Sequence, residues 1–403
     1  MRTIEEHLTA ALALVRPLAA VEVSLDDALG AVLARDVTTS TPLPQFDNSA
    51  MDGYAVRAAD VAAATDGAPV TLTVLADLPA GTAQAPAVRP GTTARIMTGA
   101  PLPPGADAVV PVEQTDGGLT VVQVRNPVPA GTFVRRAGED ARPGDLVLAG
   151  GTEVGPRQIG AAAAAGVASL WVHRRPRVAV LSTGSELRVP GQALLHGQIP
   201  DANSYLLAAA VRAAGGEPVR LLAVPDDAAA LRAALSGQQG RVDAIVTSGG
   251  VSMGAYDVVK EVLAEEPGME FVQVAMQPGR PQGLGSLPDG TPVFALPGNP
   301  VSAFVSFEVF VRPAIRCLRG LTDLGHPEVQ GVVVDGWQPR PDRTQYMPVT
   351  LSRRRGGWLV RPASRGGSGS HLVAALAGAH GLAVIPAGTA AVRAGDQVRV
   401  LQI

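Results

Sequence analysis

Strands and helices alternate in the hydrophobic pattern of residues 176–320. Short apolar runs predict strands at 177–181, 243–247 and 293–296, each followed by a Gly- and Ser-containing turn. Helical periodicity separates them, at 203–214, from Asp226 or Asp227 to about Gly237, at 257–266 and at 301–318. Such alternation predicts a mostly parallel sheet with helices on both of its faces.

Short β patterns flank this segment on both sides. β-Branched runs at 70–74, 108–110 and 120–124, separated by Pro and Gly turns, predict a small β domain before it. Runs at 332–334, 348–351 and 398–401 predict a small barrel or sandwich after it. Residues 1–40 carry two helical patterns. Thr3 and Glu6 have capping-box spacing at the start of the first, and the second runs from a Ser24 cap to Gly30.

Composition narrows the class of protein. The formal net charge of −3 argues against bulk nucleic-acid binding, which needs a basic surface. No apolar run reaches the roughly 20 residues that span a bilayer. The polar start at Met1 resembles a helix start and not a signal peptide. Cys317 is the single cysteine, which rules out an intramolecular disulfide and a cysteine-cluster metal site. We therefore expect a cytoplasmic protein without membrane or nucleic-acid partners.

Three loops in the α/β segment share one design. Each follows a predicted strand and leads towards a helix: 182–186, 248–252 and 297–302. Glycine allows close approach of a ligand, whereas Ser and Thr hydroxyls and free N–H groups suit phosphate or another oxyanion. The candidate binding residues are Ser182, Thr183, Gly184, Ser248, Gly249, Gly250, Ser252, Pro297, Gly298, Asn299 and Ser302. The alternative is that each loop is a plain strand-to-helix turn.

Carboxylates occur beside these loops. Glu186 and Asp257 follow the first and second loops, and Asp226 follows an apolar run that ends at Val224. Carboxylates next to anion-binding loops are typical of Mg²⁺, which bridges them to substrate phosphates, so the three are candidate metal ligands. Each could instead be a helix cap or a solvated charge. His and Cys residues with zinc-ligand spacing are missing from the sequence.

The segment 46–56 combines polar loop residues with apolar anchors. Asp47, Asn48, Ser49 and Gly53 accompany Phe46 and Tyr54, so we expect an ordered loop that presents Asp52. The histidines show no Ser-His-Asp pattern, and a hydrolase triad is therefore unsupported.

At these residues the sequence resembles the molybdopterin molybdenumtransferase family (MoeA, the family of the gephyrin E domain). The matching segments are 46–56, 95–101, 136–140, 181–187, 248–254, 296–302 and 369–371. The resemblance implies a multidomain α/β plus β fold with four parts, including a central parallel α/β domain that resembles the molybdopterin adenylyltransferase fold. These parts are a helical linking domain at 1–44 and 140–174, an inserted β domain at 45–139, the α/β domain at 175–323 and a C-terminal β barrel at 324–403.

The resemblance also implies a function. The family forms an elongated homodimer with a shared cleft, acts on adenylylated molybdopterin and molybdate with Mg²⁺, and releases AMP. Molybdopterin adenylyltransferase and molybdoenzyme apoproteins are candidate protein partners. The functional acids of the family fall on Asp52, Asp140, Glu186, Asp226 and Asp257, and its functional threonine on Thr98. Its oxyanion pocket falls on Arg280, Pro281, Ser302, Arg343 and Ser370.

The chain departs from the family pattern at four positions. Gln273 and Gln277 stand where lysine is frequent, Pro348 where an arginine is common, and Ser185 where aspartate often precedes the acid. Loss of positive charge would weaken attraction for an anion. Two other functions stay open from the sequence: adenylylation of molybdopterin by ATP, and a non-catalytic cofactor carrier or scaffold.

Overall fold

The computed structural model of the chain describes residues 1–251, 257–364 and 369–403. Its central sheet has six strands, labelled β1 to β6 in chain order: Arg177–Ser182, Glu217–Arg220, Ala244–Ser248, Glu270–Gln273, Pro281–Ser286 and Pro292–Leu296. The sheet order is β2-β1-β3-β6-β5-β4. Strands β2, β1, β3 and β6 run parallel, and β5 and β4 add two antiparallel strands at one edge. The predicted mostly parallel sheet is confirmed.

Helices cover both faces of this sheet because its central strands are apolar on both sides. On one face, Val180 and Val246 pack against helix α1 (Asn203–Ala213) and against a long helical run at 300–318. On the other face, Leu181 and Ile245 pack against α2 (Ala228–Ser236) and α3 (Val258–Leu263). Strand residues alternate between the two cores, as the two-residue period of a strand requires.

The long helical run agrees with the predicted helix at 301–318. Its parts are Pro300–Ser306, a π-helical stretch at Phe307–Val311, and Arg312–Leu318. Asn299 occupies the N-cap position and Pro300 the first turn, as predicted, although the Asn299 side chain makes no capping hydrogen bond. Asp227 caps α2 by accepting a hydrogen bond from the amide of Ala230 at 2.7 Å.

A five-stranded sheet lies in the region before residue 125. Its strands, in sheet order, are Ala108–Pro111, Gly53–Val56, Thr92–Ile96, Val70–Leu78 and Val121–Val124. The short strands Asn48–Ser49 and Val134–Arg135 form a separate pair. Two short helical segments, Ala58–Val61 and Val112–Gln114, accompany the sheet.

Five C-terminal strands close into a barrel. They are Glu328–Val333, Thr344–Arg354, Gly357–Pro362, Gly381–Ile385 and Gln397–Gln402, and pairing of Thr344–Arg354 with Gly381–Ile385 completes the ring. The short helix Val373–Leu376 lies between the third and fourth strands. The strand Met276–Gln277, just before β5, pairs with Thr344–Arg354 and so connects the barrel to the α/β region.

Two distant segments of the chain pair near the N-terminus. Strand Ala20–Ser24 pairs with Ser169–His173, which also pairs with Val32–Leu33, and Val37–Thr38 pairs with Leu146–Leu148. The helices here are Ile4–Ala13 and Pro156–Ala164. The predicted capping box of Thr3 and Glu6 is confirmed, with bonds of 2.8 and 3.1 Å.

The second predicted helix, from Ser24 to Gly30, is wrong. Ser24 ends a strand and caps only a turn, in which its hydroxyl donates to Asp27 Oδ2 at 2.7 Å. Gly30 adopts φ +72°, a left-handed conformation that ends the turn. Strand pairing with 169–173 overrides the local helical pattern. Elsewhere, the described helices include none long and apolar enough to cross a bilayer.

Candidate functional site

A cleft of about 800 Å³ opens at the carboxyl ends of β1, β3 and β6. All three predicted loops reach it, through Thr183, Gly249 and Gly298 among others. This edge of a parallel sheet is where open α/β folds bind ligands, since several loops converge there on one space. The alternative, in which each loop is only a strand-to-helix turn, does not account for this convergence.

The first loop is tied to the acid that follows β2. Ser185 donates its backbone N–H to Asp226 Oδ2 at 2.9 Å, and the Asp226 N–H donates to Ser185 Oγ at 2.9 Å. Glu186 folds back over Gly184, where an added Cβ would lie 2.5 Å from Glu186 Oε2. Glycine at position 184 therefore lets the Glu186 carboxylate lie against the loop.

The second loop needs glycine for space as well as for conformation. Gly249 has φ +101°, and a Cβ there would lie 2.7 Å from the Thr183 carbonyl oxygen. Gly250 has φ +65°, and a Cβ there would lie 2.8 Å from Val259 Cγ2. Gly249 allows this loop to pack directly on the first loop, and Gly250 allows it to pack against α3. Ser252, predicted as a binding residue, lies outside the described residues.

The third loop is held from two sides. The Asn203 Nδ2 group donates to the Gly298 carbonyl at 2.7 Å, and the Val301 N–H donates to the Ser370 carbonyl at 3.0 Å. The second bond uses one of the N–H groups at the start of the long helical run. The predicted anion site at this helix start therefore has fewer free N–H groups than the sequence indicated. Pro297, Asn299 and Ser302 line the cleft beside Gly298.

The predicted metal ligands Glu186, Asp226 and Asp257 all line the cleft. Asp226 already accepts a hydrogen bond from the first loop, and Asp257 occupies the N-cap position of α3. Within the described ranges, no three His, Cys, Asp or Glu side chains come together in a group that could hold a metal ion. The carboxylates thus share one cavity without forming a closed metal cage.

The predicted hydroxyl residues divide into two layers. Thr183 and Ser248 line the cleft, whereas Ser182 is buried beneath it with its Oγ 3.4 Å from Ser248 Oγ. Ser182 therefore supports the floor of the cleft. Ser370 contributes its carbonyl oxygen to the helix start, and the neighbouring His371 lines the cleft.

Asp52 and Thr98 form a separate hydrogen-bonded pair beside the five-stranded sheet. Thr98 donates both its N–H and its hydroxyl to Asp52 Oδ1, each at 2.7 Å. The hydrogen bond from the Thr98 N–H has the largest effect and the bond from the Thr98 hydroxyl the next largest. Together they hold the pKa of Asp52 below its usual range. Asp140 is exposed at the end of the same region. The described lining of the cleft includes none of these three residues.

The two predicted arginines have different surroundings. Arg280 is exposed next to Pro281, which lines the cleft, and its Nη2 donates to Gln273 Oε1 at 2.5 Å. Arg343 is paired with Asp342, to which its Nε and Nη2 both donate. The charge of Arg343 is thus largely offset by its neighbour, whereas the Arg280 partner is neutral. Pro348 lies in the barrel strand Thr344–Arg354, opposite Leu382.

Sequence reasoning missed several residues of the cleft. Leu187, Ile199, Pro200, Asn203 and His371 all line it. Leu187–Arg188 and Ile199–Pro200 form a short parallel pair that lies beside the first loop. Leu187 and His371 lie in segments that resemble the family, 181–187 and 369–371, but neither residue was singled out. For Asn203 the sequence signal was its position with Asp201 at a helix start, which indicates a cap as readily as a site.

Comparisons with known proteins agree with this architecture. Three family profiles match in order: "MoeA N-terminal region (domain I and II)" at 2–166, "Probable molybdopterin binding domain" at 179–317 and "MoeA C-terminal region (domain IV)" at 330–403. Apart from His371, the described lining of the cleft lies within the match to the probable molybdopterin binding domain.

Full-length relatives define the family. Molybdopterin molybdenumtransferase 2 of Mycobacterium tuberculosis is 46% identical over 406 residues, covering 99% of both chains. The molybdopterin molybdenumtransferase of Bacillus subtilis is 34% identical, covering 94% of this chain and 89% of that protein. A crystal structure of the molybdopterin biosynthesis MoeA protein from Pyrococcus horikoshii superposes with a TM-score of 0.85 at 28% identity, covering 100% of each chain. The chain belongs to the MoeA family of molybdopterin molybdenumtransferases and has a role in molybdenum cofactor biosynthesis.

Proposed function

We propose that this chain inserts molybdate into adenylylated molybdopterin and releases AMP. The observation that carries the proposal is the convergence of three Gly- and Ser-containing loops and three carboxylates on one cleft of about 800 Å³. A substrate with a phosphoanhydride needs N–H and hydroxyl donors, and the loops provide them at one edge of the sheet. Relatives that match 99% and 94% of the chain are named molybdopterin molybdenumtransferases.

The loops and the charged residues would have different roles in binding the substrate. Ser248 and Ser302 would supply hydroxyls from the second and third loops, whereas the Thr183 hydroxyl is buried next to Gly249. Gly249 would let the backbone approach a phosphate closely. Arg280, exposed beside the cleft, would attract molybdate and balance its charge. Arg343 would contribute less, because Asp342 already pairs with it.

The carboxylates of this cleft suit Mg²⁺ if the substrate and water supply its remaining ligands. Its protein ligands are usually one or two carboxylates, with substrate phosphates and water supplying the rest. Glu186 and Asp257 would hold the ion, and Asp226, tied to Ser185, would keep one oxygen for it. The bound ion would neutralise phosphate charge. This arrangement is consistent with the described carboxylates, which share the cavity without forming a group that could hold a metal ion by itself.

A homodimer would complete the site. Asp52 and Thr98 are oriented by two hydrogen bonds of 2.7 Å, yet the described cleft lining contains neither. A second copy of the chain would bring its Asp52–Thr98 pair to this cleft. The cytoplasmic location and the protein partners, molybdopterin adenylyltransferase and molybdoenzyme apoproteins, stay predictions from the sequence.

We also propose the four-part division at 1–44 with 140–174, 45–139, 175–323 and 324–403. Strand pairing of 20–24 with 169–173 supports the joining of the first two segments. Strands of the five-stranded sheet, the six-stranded sheet and the barrel supply the cores of the other three parts, although Met276–Gln277 pairs across to the barrel.

The test is AMP release by the purified chain given adenylylated molybdopterin, molybdate and Mg²⁺. We expect molybdate-dependent release that falls sharply in Asp257→Ala, which changes a cleft residue, but not in Asp66→Ala, an exposed aspartate on the five-stranded part. Binding of the pterin without release, unchanged in Asp257→Ala, would establish a carrier. Consumption of ATP with molybdopterin would establish the adenylyltransferase activity instead.

A further inference from the structure

The ionised groups among the described cleft residues are all acids. Four carboxylates line the cleft: Glu186, Asp201, Asp226 and Asp257. The described lining contains no arginine and no lysine, and Arg280 is exposed only beside it, next to Pro281. Because like charges repel, such a lining disfavours a phosphate or another oxyanion unless a positive charge offsets it.

His371 is the one described cleft residue that can take up a positive charge. An ordinary imidazole gains a proton near a pKa of about 6.5, and the imidazolium then donates from both ring nitrogens. The residue is exposed, and within the described ranges its ring nitrogens have no hydrogen-bond or ion-pair partner. The ring is therefore available to a ligand in the cleft.

The backbone on both sides of His371 is fixed against the start of the long helical run. The Val301 N–H donates to the Ser370 carbonyl at 3.0 Å, and the Val373 N–H donates to the His371 carbonyl at 2.9 Å. Leu376, on the short helix that follows, packs with Val301 in one apolar core. The C-terminal region thus contributes this single residue to the described cleft lining, from a segment that is anchored to the α/β region.

We propose that protonated His371 binds a tetrahedral oxyanion in this cleft, and that the anion is a phosphate group of the substrate. The inference rests on the proposed function, which places a phosphoanhydride among acids. The imidazolium would donate a hydrogen bond to a phosphate oxygen and offset part of the negative charge around it. Molybdate is also a tetrahedral oxyanion, so the experiment includes it beside a phosphate ester.

The charged groups around His371 come from several elements. The loops after the strands contribute the four carboxylates, and Arg280 lies beside the cleft. The helix start at 299–305 and the segment 369–373 contribute no other charged side chain. Chains that differ only at position 371 are therefore compared at the same pH, because titration of these carboxylates and of the probe then affects each chain alike.

The experiment measures binding of AMP, adenosine and molybdate by calorimetry at about pH 6 and about pH 8, on either side of the ordinary histidine pKa. Mg²⁺ is held constant. His371→Gln removes the charge and keeps a polar side chain, whereas His371→Lys keeps a positive charge at both pH values. His196→Gln is the matched control, because His196 is exposed and is not part of the described cleft lining. Thermal unfolding establishes that each variant is folded.

We expect His371→Gln to weaken AMP binding about fivefold at the lower pH, a loss typical of one charge-assisted hydrogen bond at an exposed site. The loss should be much smaller at the higher pH, where an ordinary imidazole is neutral. His371→Lys should bind AMP more tightly than the wild-type chain at the higher pH. Adenosine binding should stay the same in all chains, and His196→Gln should bind AMP as the wild-type chain does.

Four results would overturn the inference. They are equal AMP affinities of the wild-type chain and His371→Gln at the lower pH, an equal loss for adenosine, AMP binding by His371→Lys as weak as that by His371→Gln, and no AMP binding by the wild-type chain. A loss confined to molybdate would overturn the assignment to phosphate and replace it with molybdate.

AMP release by the wild-type chain is measured separately. Release that persists in any of these cases leaves the transferase activity standing and makes His371 a solvated surface group. Absence of release, together with AMP binding that depends on the charge at position 371, affects only the proposed activity.

Discussion

Ser185 and Asp226 exchange two hydrogen bonds, each of 2.9 Å, between the loop after β1 and the segment after β2. One bond uses the Asp226 carboxylate as acceptor, and the other uses the Ser185 hydroxyl. The pair therefore sets the orientation of an acid in the cleft without help from a cation. Both side chains are exposed, so the contact serves orientation more than stability.

Ser185→Ala tests this role. The variant loses only the hydroxyl acceptor, so we expect a change in unfolding free energy of about 1 kcal/mol or less. We expect kcat/KM for molybdate-dependent AMP release to fall about three- to tenfold, because the Asp226 backbone loses its bond to the first loop and only the bond from the Ser185 N–H still holds the carboxylate. Ser236→Ala, which removes a hydroxyl bonded to the Ala233 carbonyl on α2, is the control. Equal effects of both variants on AMP release would contradict the assignment.

A second prediction concerns Gly249, where conformation and space both restrict the side chain. Gly249→Ala places a Cβ 2.7 Å from the Thr183 carbonyl oxygen at φ +101°. We expect destabilisation of about 3 kcal/mol or more, since strain and collision both act. Gly395→Ala is the matched control because it has φ +93° but open space around its Cβ. For Gly395→Ala we expect backbone strain alone to lower the stability, by about 1–2 kcal/mol. Urea unfolding of the two variants measures the difference in stability. Equal losses of stability would mean that the contact between the new Cβ and the Thr183 carbonyl oxygen costs nothing.

The sequence predicted the central sheet well for a physical reason. Strands β1, β3 and β6 are buried on both faces, so their residues form continuous apolar runs that end where the loops begin. Because parallel strands end at the same edge, loops that are far apart in sequence had to meet. The placement of Thr183, Gly249 and Gly298 on one cleft follows from that topology.

Non-local contacts could not be predicted in the same way. Asn203 and Gly298 are 95 residues apart, and nothing in the sequence near Asn203 indicates that its amide holds a loop. The helical pattern after Ser24 gave way to strand pairing with 169–173. Each of these outcomes depends on partners that only the tertiary fold selects.

A third prediction concerns protonation of Asp52. The Thr98 N–H and hydroxyl lower the pKa of Asp52, so its charge persists to a lower pH than that of an ordinary aspartate. The stabilising contribution of the two bonds is present above the unfolded pKa and is lost as the pH falls through the folded pKa. Thr98→Val removes the hydroxyl but keeps the N–H and the side-chain shape. We expect the pKa of Asp52 to rise towards its ordinary value.

Titration of the Asp52 carboxyl carbon by NMR measures this shift. Thr98→Ser, which keeps the hydroxyl, should retain the lowered pKa. An unchanged pKa in Thr98→Val would mean that the hydroxyl bond contributes nothing and that the N–H bond alone sets the charge.

A fourth prediction concerns Arg319, which joins the end of the long helical run to the paired N-terminal segments. Its buried guanidinium donates to the carbonyls of Gly30 and Ala214, at 2.7 and 3.1 Å, and to Glu153 Oε1 at 2.7 Å. Arg319→Lys cannot reach three acceptors in this planar pattern. We expect a loss of about 2–4 kcal/mol, because the carbonyls of buried Ala214 and half-buried Gly30 lose donors and the ion pair with Glu153 is weakened.

Urea unfolding of Arg319→Lys beside Arg241→Lys measures this loss. Arg241 is exposed, so its substitution should change stability by less than about 0.5 kcal/mol. Similar stability of both variants would show that solvent replaces the three hydrogen bonds of Arg319.

The last prediction concerns His7, which is buried and stacks edge-on against Phe310 with ring centroids 4.6 Å apart. Burial, with a smaller effect of the Arg2 charge, lowers the pKa of His7 from 6.5 to about 4. The folded chain therefore keeps this ring neutral at a pH where the unfolded chain protonates it. Stability should rise with pH from about 4 to 6.5 and then level off with respect to this group.

His7→Phe removes the titrating group and keeps a ring against Phe310. We expect the wild-type chain to lose more stability than the variant, by about 1–2 kcal/mol, between pH 7.5 and pH 5, since the variant has no ring to protonate on unfolding. The histidine-dependent part of the loss should disappear in the variant, while losses from the acids remain in both. Equal losses in the two chains would mean that His7 binds its proton as readily when folded as when unfolded, and that its burial leaves the ring open to water.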